Sequence, residues 1–163
     1  AFLCEAAQRF LYDAEDDFYY ACEGDRKIKI KVGPALASIV FAPGEIAQRM
    51  VARYLQPGSP AWPMHGIATV FADEPSYDPN NFWRGPIWGA SNRLIIDALE
   101  RCGFMQEAAA LRRETLSLFS ATEDFCEVFN PETGKGSRGL LMAGFGAGVF
   151  LDLLQPAANG PSV

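Results

Sequence analysis

The chain has 163 residues, 49% hydrophobic and 21% charged, enough for one ordinary domain with a real core. Fourteen basic residues stand against 20 acidic ones, a formal charge of -6, and no dense Lys/Arg patch is visible, which argues against a nucleic-acid partner. No apolar run approaches the roughly 20 residues that span a bilayer, so no membrane partner is expected.

The chain opens within a helical pattern. Phe2, Ala6, Phe10 and Leu11 share one face of a helix predicted over residues 2–14, with no initiator Met and no basic leader before it. That beginning leads us to expect a piece of a longer polypeptide. A hairpin follows, Phe18–Cys22 against Ile28–Val32 around a Gly24-Asp25 turn. The alternating basic run Arg26-Lys27-Ile28-Lys29-Ile30-Lys31 reads as a solvated strand face. Leu36–Phe41 is short and apolar. Pro43-Gly44-Glu45 then opens a helix over about 44–55, carrying Ile46, Met50, Val51 and Tyr54.

Residues 56–81 contain Pro57, Pro60, Pro63, Pro75 and Pro79, which exclude regular helix. A loop of this length inside a domain is usually functional. It carries or borders Trp62, Tyr77, Phe82, Trp83 and Trp88, read as ligand-facing aromatics. A helix over about 89–101 has Leu94, Ile95, Ala98 and Leu99 on its apolar face and stops at Gly103. Another over about 104–121 follows so closely that the two form an antiparallel hairpin. Phe125–Phe129 is extended and Asn130–Gly134 is a turn. A last helix over about 139–154 is apolar all round (Leu140, Leu141, Met142, Phe145, Val149, Phe150, Leu151) and is expected to be buried on every side. Residues 155–163 read as a loose tail.

Cys4, Cys22, Cys102 and Cys126 have no metal-ligand spacing and His65 is the single histidine. Neither a metal nor another cofactor is expected, and the cysteines read as free thiols. The pattern is mostly helical: hairpins joined alternately by tight turns and long, decorated loops.

Three segments carry a resemblance. Tyr77-Asp78-Pro79-Asn80-Asn81-Phe82-Trp83-Arg84-Gly85-Pro86-Ile87-Trp88, followed by Asn92, is similar to the sugar-lining segment of inverting glycosidases in the processing α-glucosidase and mannosylglycerate hydrolase group. Upstream, His65-Gly66-Ile67-Ala68-Thr69 resembles that group's Gly-aliphatic-Pro-Ser/Thr stretch. Downstream, Glu127-Val128-Phe129-Asn130-Pro131-Glu132-Thr133-Gly134 resembles the motif whose Glu is the general base. The resemblance implies part of an (α/α)6 toroid, related in architecture to trehalases, with one β-hairpin and long site-forming loops. On this reading residues 1–154 are the C-terminal portion of the catalytic domain. It also implies a small carbohydrate or glycoside as substrate, an α-glucoside or α-mannoside.

The chemistry suits the residues. An inverting glycosidase needs a protonated carboxyl at the leaving oxygen and an ionised one activating water, about 6.5–9.5 Å apart. The resemblance makes Glu127 the base and Trp83, Arg84, Gly85, Trp88, Tyr77 and Asn92 the substrate-binding set. Tryptophan faces suit the C–H side of a sugar ring, and guanidinium donors suit its oxygens. Three departures accompany it. Gly144-Phe145-Gly146-Ala147-Gly148 stands where the group has Ser-Trp-Thr-Ala-Ala. Val128 stands where Tyr is common. The group's acid, an Asp, has no match, so it is expected on an upstream N-terminal half of the toroid. Asp13, Asp16 and Asp17 read as a helix end, not as that acid. The alternative is a non-catalytic carbohydrate-binding or scaffold module on the same fold. A sugar epimerase, which needs paired histidines, is disfavoured.

Overall fold

The computed structural model describes residues 2–123, 125–137 and 143–155. It is mostly helical. Helix α1 (Phe2–Ala6) loosens into a wider turn over Ala7–Leu11, and the chain leaves it at Tyr12, whose backbone is extended. The expected helix to residue 14 therefore ends early. Tyr12 and Asp13 instead form strand β1, paired antiparallel with β2 (Phe18–Tyr19). Hydrogen bonds fix the reversal: the Tyr12 hydroxyl donates to Asp17 at 2.6 Å and the Tyr20 hydroxyl to Asp16 at 2.8 Å. Phe2 and Phe10, on the shared apolar face of the expected helix, are 79% and 51% exposed.

The Gly24-Asp25 turn is where the sequence puts it, with Gly24 at φ 59, but it joins only β3 (Cys22–Glu23) to β4 (Arg26–Lys27). The strands are shorter than expected because the chain beyond them has another partner: Val32 bridges to Val70. Lys29 and Lys31 do not simply face water either. Lys29 reaches Asp13 at 2.7 Å and Asp16 at 3.1 Å, and Lys31 lies between Asp16 and Glu74.

A 3-10 helix covers Gly33–Phe41 and α2 covers Gly44–Tyr54, burying Ala47, Met50, Val51 and Tyr54 at helical spacing. Helix α3 (Gly89–Arg101) is central, packed against the 3-10 helix, α4 (Met105–Ser120) and α5 (Ala143–Leu154). Its end explains the tight α3–α4 hairpin. Gly103, at φ 83, donates to the Glu100 carbonyl, and Phe104 donates back to Leu99 at 2.9 Å. This double closure satisfies carbonyls that a helix end would leave bare, and its left-handed residue favours glycine. Arg112 then ties three helices together, bonding Glu100 of α3 at 2.7 Å and the Leu153 carbonyl of α5 at 2.9 Å.

Helix α5 corrects an expectation. Leu153 is 1% exposed, but Phe145, Leu151 and Leu154 are 46%, 60% and 55% exposed. It packs on α3 and α4 from one side, so an all-round apolar helix here has an open face. Residues 139–142, assigned to its start, and 156–163 of the expected tail lie outside the described residues. Trp62 is a second correction: it sits in the core, 1% exposed, not against a ligand.

Candidate active site

Residues 66–69, 85–88 and 127–130 lie far apart in sequence, yet they form neighbouring extended pieces. Ala68 bridges to Ile87, in β5 (Ile87–Trp88). Strand β5 pairs antiparallel with β6 (Val128–Phe129), Ile87 opposite Phe129 and Trp88 opposite Val128. Strand β6 pairs in turn with β7 (Gly136–Ser137). Thr69 reinforces the first seam, its hydroxyl donating to the Pro86 carbonyl at 3.0 Å.

Because side chains alternate along a strand, this sheet has two characters. Ile87 and Phe129, both fully buried, face a small core with Leu118, Phe119 and Cys126. Trp88 and Val128 face the other way. There, Trp83 stacks on Trp88 with centroids 4.1 Å apart and planes 13° from parallel, and Phe82 meets both edge-on. The Trp88 indole N–H donates to the Phe82 carbonyl at 3.0 Å, so its one polar atom is satisfied inside the cluster. Trp88 is 7% exposed and Trp83 is 62% exposed, an outward-facing indole on a buried support. A cavity of about 430 Å³ adjoins, between the 79–82 loop and the strands, with Phe82, Pro86 and Val128 as apolar lining and Asn80, Asn130 and Ser137 as polar lining.

Glu127 directly precedes β6, and continuing the register sets it opposite Gly89, the first residue of α3. It is 8% exposed, and among the described residues its carboxylate has neither hydrogen bond nor ion pair. An acid held this closely yet unpaired is chemically available, because no cation or donor among the described residues competes for its lone pairs.

The other candidates divide. Tyr77 is half-buried and its hydroxyl donates to Glu132 at 3.2 Å. Burial, with the charge of Glu132, pushes its pKa well up, so it stays a protonated donor. Arg84 is exposed and donates to the Ser76 carbonyl at 3.1 Å, with no salt bridge to Asp73, Asp78 or Glu127 among the described residues. Gly85 and Asn92 belong to the site's support and not to its open surface. A side chain at Gly85 would be driven into the Asp78 carbonyl, so only glycine allows this approach. Asn92 is fully buried and donates to Thr115 at 3.2 Å, and its Oδ1 has no partner among the described residues. His65 lies beside Gly134 of the turn after Glu127. Sequence reasoning gave no part to Asn130 or Glu132, which join this turn to the 77–80 segment. Among the described residues no three His, Cys, Asp or Glu side chains gather as a metal site, no disulfide joins the cysteines, and no helix is long and apolar enough to cross a membrane.

The chain is 27% identical over 159 residues to a mannosylglycerate hydrolase of Rubrobacter radiotolerans, covering 92% of this chain and 35% of that protein. It is 33% identical over 73 residues to a mannosylglycerate hydrolase of Thermus thermophilus, covering 45% of this chain and 17% of that one. It thus spans about a third or less of the length of these curated relatives. Among solved structures, a GH63 mannosylglycerate hydrolase from Thermus thermophilus, in complex with Tris and D-glycerate, superposes over 91% of this chain and 36% of its own, with TM-score 0.77 and 25% identity. A neutral trehalase of Saccharomyces cerevisiae, 17% identical, shares the fold with TM-score 0.69 over 93% of this chain and 29% of its own. The helical hairpins described above are accordingly part of an (α/α) toroid. The model of the mannosylglycerate hydrolase MGH1-like glycoside hydrolase domain matches residues 3–145, and the chain belongs to that family.

Proposed function

We propose that this chain carries the base side of an inverting glycosidase site acting on α-mannosides or α-glucosides, with Glu127 as the general base. The observation that supports the reading is the pairing of β5 with β6, which brings the segment that bears Glu127 alongside the segment that bears the Trp83–Trp88 stack. Trp83 offers its open face to the apolar side of a sugar ring. Arg84 flanks it as a donor to hydroxyls and Tyr77, whose own proton goes to Glu132, as an acceptor, while Gly85, Trp88 and Asn92 hold the platform's shape. Glu127 takes a proton from water as that water attacks the anomeric carbon from the face opposite the leaving group. The leaving oxygen takes its proton from an acid that this chain does not supply.

That acid belongs, on this reading, to the remainder of a toroid, of which residues 1–154 form one part. Phe2, Leu3 and Phe10 at one end of the chain, and Phe145, Leu151 and Leu154 at the other, are exposed apolar side chains on helices with open sides. Further hairpins would seat there. The names of the relatives make mannosylglycerate the first substrate to try.

The test is hydrolysis of α-mannosides and α-glucosides by the full-length protein, with the product anomer followed by NMR. Wild type should release the β-anomer first, and Glu127→Gln should lose about 100- to 10,000-fold in rate while still binding sugar. Activity surviving Glu127→Gln would overturn the assignment. Binding without turnover in either protein would establish a carbohydrate-binding module instead.

A further inference from the structure

We propose that Asn130 and Glu132 are positioning residues that lock the loop bearing Trp83 to the strand that follows Glu127, and so set the distance between sugar platform and base. The proposal rests on the reading of Glu127 above and adds a second layer to it.

Asn130 builds the turn and also ties it outward. Its Oδ1 accepts the N–H groups of Glu132 at 2.9 Å and Thr133 at 3.0 Å. Its own N–H donates to the Lys135 carbonyl and its carbonyl accepts from Gly134, both at 2.9 Å, with Gly134 at φ 69. The same side chain then reaches away from the turn: Nδ2 donates to the Pro79 carbonyl at 3.3 Å and to Asn80 Oδ1 at 3.0 Å. Two residues on, Glu132 accepts the Tyr77 hydroxyl at 3.2 Å. All three outward bonds land within residues 77–80.

The loop so held is closed on itself, Asp78 donating to the Arg84 carbonyl at 2.8 Å and Arg84 donating to Asn81 at 2.8 Å. Its far end is pinned to β5 through the Trp88 indole and the Phe82 carbonyl. The loop is therefore fixed at two points, one on β5 and one on the turn that follows β6. The second point matters because β5 and β6 are two residues long, and a ladder that short does not by itself hold a ten-residue loop. Placement errors of about 1 Å at a reacting centre can cost on the order of 100-fold in rate.

Glu132 is also the next carboxylate after Glu127 along the chain, which makes a direct catalytic part the sharp alternative. Its engagement by a hydroxyl that stays protonated argues for holding.

Substitutions separate the two. In the full-length protein, Asn130→Asp keeps the acceptor that builds the turn and removes the outward donor. Glu132→Gln keeps an acceptor for Tyr77 and removes the acid; Glu132→Ala removes both. With mannosylglycerate as probe, Asn130→Asp and Glu132→Ala should each lower kcat by roughly 10- to 100-fold with KM changed by less than about threefold. Glu132→Gln should stay within about twofold of wild type, with both limbs of the pH–rate profile in place. Acrylamide quenching of tryptophan fluorescence should increase in Asn130→Asp, as the Trp83 loop loosens, with the thermal midpoint showing a folded protein. The proposal is overturned if Glu132→Gln is as inactive as Glu132→Ala or loses a limb of the profile. It is equally overturned if Asn130→Asp keeps the wild-type kcat and quenching. Failure of the Glu127 assignment would be visible separately, as activity in Glu127→Gln.

Discussion

Phe18, Tyr20, Tyr54 and Phe71 form one cluster of rings in this chain, with centroids 4.9 to 5.6 Å apart, and Phe82, Trp83 and Trp88 form another, at 4.1 to 5.6 Å. Acidic residues border the first, and Glu127 precedes the strand that pairs with Trp88 of the second. In the first cluster no ring is more than 4% exposed, and the neighbouring acids are engaged: Asp16 by Tyr20 and Lys29, Asp13 by Lys29. In the second, Phe82 and Trp83 are 36% and 62% exposed, and Glu127 is unpaired among the described residues. The same residue types thus serve cohesion in one place and stand available in the other. Aromatic density does not tell the two apart; the occupancy of faces and lone pairs does.

The sharpest way to break this contrast is to truncate one ring from each cluster. Phe71 is fully buried among Phe18 and Tyr54, so Phe71→Ala leaves a cavity and should destabilise by about 3–5 kcal/mol in chemical denaturation. Trp83→Ala removes a ring that mostly faces solvent and stacks on one neighbour. It should cost about 1 kcal/mol of stability but weaken sugar binding roughly tenfold in calorimetric titration. Equal stability losses at both sites would mean that the second cluster is core as well.

The regions differ equally in what the sequence could disclose. Helices α2, α3 and α4 and the Asn130–Gly134 turn match the sequence reading closely, since helical spacing, Gly103 and the Pro/Gly turn are local signals. Residues 12–32 were poorly legible: ion pairs and tyrosine hydrogen bonds, not propensity, end α1 and decide which short strands form. The motif residues were legible as a set, but their division into surface and support was not. That Gly85 abuts Asp78 depends on how one loop closes on itself, and that Asn92 lies beneath Gly66 depends on a contact between segments distant in sequence. The Asn130 and Glu132 ties share this character. Their only sequence signal is an Asn-Pro-Glu-Thr-Gly turn in a chain with a second polar loop at Asp78–Asn81.

Tyrosine titration sharpens the comparison at high pH. Burial raises Tyr54 and Tyr19 from 10.0 to about 12. A raised folded pKa means that the unfolded chain loses its protons first. Stability should therefore hold below pH 10 and decline as pH climbs from 10 towards 12. Tyr54→Phe should flatten that decline in thermal melts, whereas Trp83→Ala should leave its shape unchanged.

The smallest effect expected lies among the charges of the first region. Arg26 and Glu23 approach to 2.6 Å, but their side chains are 75% and 73% exposed, so Arg26→Ala should leave the thermal midpoint where it is. Lys29 meets two carboxylates that are themselves only 15% and 20% exposed, and Lys29→Ala should lower the midpoint by about 2 °C at neutral pH. The hydrogen bond from Lys29 is the main cause holding the Asp13 carboxyl below its ordinary 3.8. A depressed folded pKa gives stability that is present above 3.8 and lost as pH falls through the folded value. The gap between Lys29→Ala and wild type should accordingly close in acid. A gap that persisted undiminished there would mean that Lys29 acts through the packing of its stem on the Tyr20 ring, 4.9 Å from its ammonium, and not through charge.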